Sequence, residues 1–233
     1  MRQHSTGFVL GIIGSIIVGF GIIAGIFLGL RSITGLGYEP AVYQAQKTGP
    51  NSATLSISTF PDSHVCHADE GEPQIDWVTY CPSTNFEVPA NSLITVTIEQ
   101  YDTSSGLVND YFQQVQGTVG GIELVNGKPM SQIAIDDVAH TFTIQSRPNE
   151  AHPLFVSVPL VGVPDNAPNA VTINGNPYPK PNVITFQFRT GPPGTYIWHC
   201  YVPCGSDRGA PFGFSGPMST TGYMAGVLNV ANY

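Results

Sequence analysis

Charge is what this sequence has least of. Only 10% of its 233 residues are Asp, Glu, Lys or Arg, where an ordinary soluble domain has about a quarter. Bases are the scarcer sign. Beyond residue 31, six Lys and Arg (Lys47, Lys128, Arg147, Lys180, Arg189, Arg208) face all 16 acidic residues, a net of −10. That excludes a nucleic-acid binder, which needs basic surface. Few carboxylates among many hydroxyls and amides also mean few ion pairs to lose on acidification, so an acidic exterior is expected. Helical periodicity is missing after residue 35, and segments such as "VPDNAPNA" and "NPYPKP" within 148–182 would break any helix. Histidine is sparse too: six in all, none after His199.

One long apolar run is present. Residues 7–30, "GFVLGIIGSIIVGFGIIAGIFLGL", carry no charge over 24 positions, enough to cross a bilayer core as a helix. A cleaved signal peptide would have a shorter apolar region ending in a small-residue site; this run is too long, and Arg31 with "SITGLG" makes a poor cleavage signal. Residues 1–34 therefore read as a retained transmembrane anchor. Gly21, Gly25 and Gly29 recur on one face of it, where another helix can approach closely. Arg2 before the span and Arg31 after it signal orientation only weakly.

The remainder alternates apolar and polar residues, as strands with one buried face do. "LITVTIEQY" (93–101) sets Ile94, Val96 and Ile98 on one side; "HTFTI" (140–144) does the same with His140, Phe142 and Ile144. "VITFQFR" (183–189) and "AGVLNVA" (225–231) follow suit. The expected fold is all-β, an antiparallel sandwich behind one N-terminal transmembrane helix. Residues 35–84 read as tether and disulfide-bearing loop, and 85–233 as the sandwich domain. Cys66 and Cys81 read as a structural disulfide, which places the domain on an oxidising, extracytoplasmic side of the cell membrane. "HVCH" (64–67) offers a competing reading, a metal cluster including His64 and His67.

The richest chemistry lies in "GTYIWHCYVPCG" (194–205) and "GYMAGVLNV" (222–230). Soft thiolate, imidazole and weak thioether donors suit a copper electron-transfer site. "DDVAHTFTI" supplies a His at a strand start, and "PPGTYIWHC" runs into the first of two cysteines. Over most of residues 85–231 the sequence resembles the cupredoxin superfamily, with its Greek-key sandwich. More narrowly, Cys200-Tyr-Val-Pro-Cys204-Gly205 is similar to the C-x3-C-G of the binuclear copper centre in cytochrome c oxidase subunit II of the single-anchor type. That resemblance implies His140 as imidazole ligand, Cys200 and Cys204 as bridging thiolates and Met224 as thioether. A carbonyl of Tyr201, Val202 or Pro203 would add an oxygen.

The pattern departs at one point. The family's second His falls three residues before the Met, where this chain has Thr221; counting forward from Cys204 reaches Arg208. The interval 206–221 is also longer than the family's loop and adds a second thioether, Met218. His199 neighbours Cys200 on a strand and should face away from it. For the same reason His199 is no base for a nucleophilic Cys200. A multicopper oxidase is excluded, since no H-x-H pair occurs. Three readings follow. The first is a subunit II of a haem-copper terminal oxidase, taking electrons through a modified copper site. The second is a metal-free structural subunit of a quinol-type oxidase, with Cys200 and Cys204 joined. The third is a stand-alone tethered cupredoxin carrier. The implied partners are the membrane, the oxidase large subunit along the glycine face, and an electron-donor protein or quinol. Trp198 and Tyr196 would provide packing and an electron path, and the Pro-rich stretch 148–182 a contact surface.

Overall fold

A computed structural model of the chain describes residues 6–34, 38–67, 75–204 and 216–233. Gly205, Arg208 and much of the interval 206–221 lie outside the described residues. The described residues form two compact units, one with residues 6–34 and the other with residues 39–67, 76–204 and 216–233.

In the first unit, α1 (Thr6–Thr34) is a helix of 29 residues. Its 20-residue stretch Gly11–Leu30 has a mean hydropathy of 2.5, and none of it is buried. Apolar side chains surround the axis, with no polar face to turn toward water. The hydroxyl of Ser15 is satisfied by donating to the Gly11 carbonyl at 3.0 Å, one turn back. The helix is long and apolar enough to cross a membrane.

The second unit is a two-sheet β-sandwich. In chain order it opens with β1 (Val42–Gln44), β2 (Gln46–Gly49), β3 (Ser52–Phe60), β4 (Thr79–Cys81) and β5 (Asn85–Pro89). There follow β6 (Leu93–Gln100), β7 (Glu123–Val125), β8 (Lys128–Met130), β9 (Val138–Gln145) and β10 (Phe155–Val161). The last are β11 (Asn169–Ile173), β12 (Asn176–Pro179), β13 (Asn182–Arg189), β14 (Gly194–His199) and β15 (Ala225–Ala231). One sheet runs β1-β5-β15-β14-β9-β10; the other runs β2-β3-β6-β13-β7-β8, with β4 on β3. β11 and β12 form a separate hairpin. The expected fold class, an all-β sandwich behind one apolar helix, is the fold observed.

The inner faces follow the alternation in the sequence. Ile94, Val96 and Ile98 of β6 and Ile184 of β13 have no exposed surface, nor do Phe142 and Ile144 of β9, Trp198 of β14 and Leu228 of β15. Aromatic rings join the two sheets where Phe142 lies 6.1 Å from Phe186 between centroids, and Phe142 meets Trp198 of its own sheet at 5.1 Å. Each such side chain withdraws enough apolar surface to contribute about 2–3 kcal/mol.

Two expectations need correction. Residues 35–84 are not only tether and loop, for β1 to β4 lie within them. β3 pairs in parallel with the whole of β6, and Ala53, Leu55 and Ile57 are buried. Its outward Ser and Thr residues make it read as polar, although the alternation is there. The sheets are also not purely antiparallel, because β5 pairs in parallel with both β1 and β15. Within the Pro-rich stretch 148–182, β10 pairs with β9, Pro159 sitting opposite Thr141. β10 is an edge strand, where the missing N–H of a proline costs no ladder bond.

Candidate metal centre

His140 lies in β9, between β14 and β10 in its sheet, and has no exposed surface. Cys200 follows directly on β14, and its N–H donates to the Met224 carbonyl at 2.9 Å, which ties the cysteine loop to the start of β15. The loop then turns back, with Cys204 N–H donating to the Val202 carbonyl at 2.7 Å. This turn brings the two sulfurs to 3.0 Å from each other. Both cysteines are free and buried, so the contact is not a disulfide, whose bond is about 2.05 Å. His140 Nδ1 lies 2.9 Å from Cys204 Sγ and 3.9 Å from Cys200 Sγ.

The donors of His140, Cys200 and Cys204 all fall within 4.8 Å of one another. The Val202 carbonyl is 3.7 Å from Cys200 Sγ, and the Thr141 N–H points at the same sulfur from 3.5 Å. Met224 is fully buried, and its carbonyl, accepting the Cys200 N–H, holds its backbone beside the cysteine loop. The second thioether candidate, Met218, is buried as well; its backbone bonds the ring of His199. His199 itself is half-buried at the end of β14, its pKa lowered by burial.

Electrostatics couple the three groups. Burial works against the His140 imidazolium, but interactions with Asp102 and Cys200 outweigh it and raise the pKa to about 9. Cys204 is pushed up by burial and by its neighbour Cys200. Cys200 is pulled down despite burial, because the Cys204 thiol, His140 and the Thr141 N–H all favour its thiolate. The two thiols are thus pushed in opposite directions, Cys200 toward the thiolate and Cys204 away from it.

Sequence reasoning missed Asp102, whose carboxylate lies 3.0 Å from His140 Nε2. No spacing rule links positions 102 and 140. It also missed a run of rings from the cysteine loop to the surface. Tyr201 stacks on Phe112 at 4.3 Å, and Phe112 meets Tyr111 edge-on at 5.2 Å; Tyr111 is exposed. Trp198 is fully buried and donates its indole N–H to the Thr84 carbonyl at 2.9 Å, while the Tyr196 hydroxyl donates to the His152 carbonyl at 2.8 Å.

Elsewhere, Cys66 and Cys81 form a disulfide with their Cα atoms 5.8 Å apart. The "HVCH" cluster does not form. Cys66 is consumed by the bridge, His64 turns to Asp76 at 3.4 Å on the surface, and His67 is buried, its Nε2 bonding the Gly222 carbonyl at 2.7 Å.

No protein-family model matches the chain, and no curated protein matches it. Among solved structures it is similar to the copper protein rusticyanin from Thiobacillus ferrooxidans at 12% identity, over 90% of this chain and 94% of that one, with a TM-score of 0.37. It is similar to auracyanin B at 14% identity, over 82% and 97% of the two chains, with a TM-score of 0.32. A multicopper oxidase matches at 8% identity, over 80% of this chain and 46% of its own, with a TM-score of 0.28. At these identities and scores the likeness carries no assignment of family or chemistry, and the donor geometry of the chain itself must carry the functional reading.

Proposed function

We propose that this chain is a membrane-tethered, cupredoxin-like domain that exchanges single electrons through copper held by His140, Cys200 and Cys204, with Met224 as a weak fourth donor. One observation carries the reading: two unjoined thiol sulfurs lie 3.0 Å apart beside an imidazole nitrogen at 2.9 Å, all three residues being buried. Buried polar groups without a purpose are costly, and this donor set fits a thiophilic ion. Copper bound there supplies one-electron exchange. The chain's own contribution is to hold the donors still. β9 and β14 are paired neighbours in the sheet interior, and the pocket excludes water, so little reorganises when charge changes.

α1 serves as a retained anchor, with the disulfide-bearing domain outside the cytoplasm. At the finer level the chain acts as subunit II of a haem-copper terminal oxidase. Its glycine face at Gly21, Gly25 and Gly29 packs on the large subunit, and a donor protein or quinol reduces it.

The test is metal analysis of the full chain, reconstituted with copper after its free thiols are reduced, the loaded site then being oxidised, with visible and electron-paramagnetic-resonance spectra. Stoichiometric copper with thiolate charge-transfer bands is expected, lost in Cys200→Ser and His140→Ala but kept in His199→Ala. Zinc in place of copper, or no metal and no free thiol, would leave a structural subunit instead. Co-purification with a haem protein in mild detergent separates the oxidase subunit from a stand-alone carrier.

A further inference from the structure

The geometry points to Asp102 as the positioning residue of the site: its carboxylate, fixed by a buried polar network, holds the His140 ring by Nε2 so that Nδ1 faces the sulfurs. This deepens the copper reading and rests on it for its purpose, though not for its geometry.

An imidazole can flip about its last torsion, exchanging nitrogens for carbons at nearly the same positions. At position 140 the flip would put a carbon against Cys204 and another against Asp102. The bond from Nε2 to Asp102 Oδ2 at 3.0 Å penalises that flip and keeps the Nε2 proton in place, which leaves Nδ1 for the sulfur side. Outer partners of this kind orient ligating histidines generally.

Asp102 is itself over-determined. Its Oδ1 accepts the Thr103 N–H at 2.7 Å. Its carbonyl accepts the Val163 N–H at 2.9 Å and the Gln100 side-chain amide at 3.2 Å. Its own N–H donates to Gln100 Oε1 at 3.4 Å, and that oxygen also accepts the hydroxyl of Thr59. Gln100 and Thr59 have no exposed surface. A chain of polar contacts therefore runs Thr59–Gln100–Asp102–His140–Cys204. It starts in the sheet of β3 and β6 and ends at the pocket on β9. With Oδ1 committed to Thr103, Oδ2 is left for one task.

Two measurements on the full chain in detergent test this, with Asp102→Ala and the conservative Asp102→Asn, whose single amide oxygen can still accept from Nε2 by giving up the Thr103 N–H. The first is nitrogen-15 NMR of the histidine rings in the reduced, metal-free protein. A slowly exchanging Nε2 proton on His140 is expected in the wild type and in D102N, and its loss in D102A. The second is the copper dissociation constant, expected to weaken about 10–100-fold in D102A and only a few-fold in D102N. A merely structural role would lower the melting temperature of D102A and leave the ring proton where it was. D102A that keeps the ring proton and wild-type affinity overturns the assignment. A wild type that binds no copper but loses the ring proton in D102A sinks the copper reading and leaves the positioning role standing.

Discussion

Glu123 sits in β7 with no exposed surface, and neither carboxyl oxygen has a hydrogen-bond partner among the described residues. Burial raises its pKa from 4.5 to about 9, so the folded domain holds it as the neutral acid at pH 7. Unfolded, the same group ionises near its ordinary value. Between those two pH values the native state binds the extra proton, and stability falls as pH rises. The contribution is complete below about pH 4.5 and gone above about pH 9. At pH 7.5 the deficit relative to acid is at most about 4 kcal/mol. Urea midpoints at pH 5 and pH 8 should therefore drop for the wild type and stay closer together for Glu123→Gln, with the variant the more stable at pH 8. A wild type equally stable at both values would mean that the carboxyl ionises with water at hand. The acid tolerance inferred from the sparse surface charge and the proton held by this one buried residue act in the same direction.

At the level of strands, β15 carries the tightest constraint. A Cβ on Gly226 would lie 1.8 Å from the Thr84 carbonyl oxygen and 2.8 Å from the Trp198 indole nitrogen, so the close approach there admits no side chain. Gly226→Ala should destabilise the domain by about 3 kcal/mol or more, read as a lower denaturant midpoint; an unchanged midpoint would show that β15 and the segment before β5 are free to separate. Strand identity was legible wherever a period of two ran into a buried face, as at Ile94, Val96 and Ile98. It was illegible in β1 and β2, which are short and largely exposed, and in the Ser-rich β3. The clustering of His140, Cys200 and Cys204 was anticipated through the resemblance of the C-x3-C-G segment and its flanking strands, not through spacing alone. Asp102 could not be anticipated, since it meets His140 only when β6 and β9, strands of different sheets, come together at one pole. Glu123 was equally hidden: nothing in "GGIELV" says that the acid turns inward.

For the molecule as a whole, the 29-residue α1 and the sandwich have opposite solvent requirements. The full chain should sediment with membranes and resist extraction by high salt or alkaline carbonate, yielding only to detergent. A soluble mature form beginning near residue 35 would show that α1 is a removed signal instead. Within the sandwich, β15 is the last strand in the sequence, yet it lies between β5 and β14 in its sheet. That sheet stays split until β15 has left the ribosome. The N–H of Cys200 likewise waits for the carbonyl of Met224. A nascent chain thus presents an open sheet edge and two unshielded thiols until β15 has been made and has taken its place between β5 and β14.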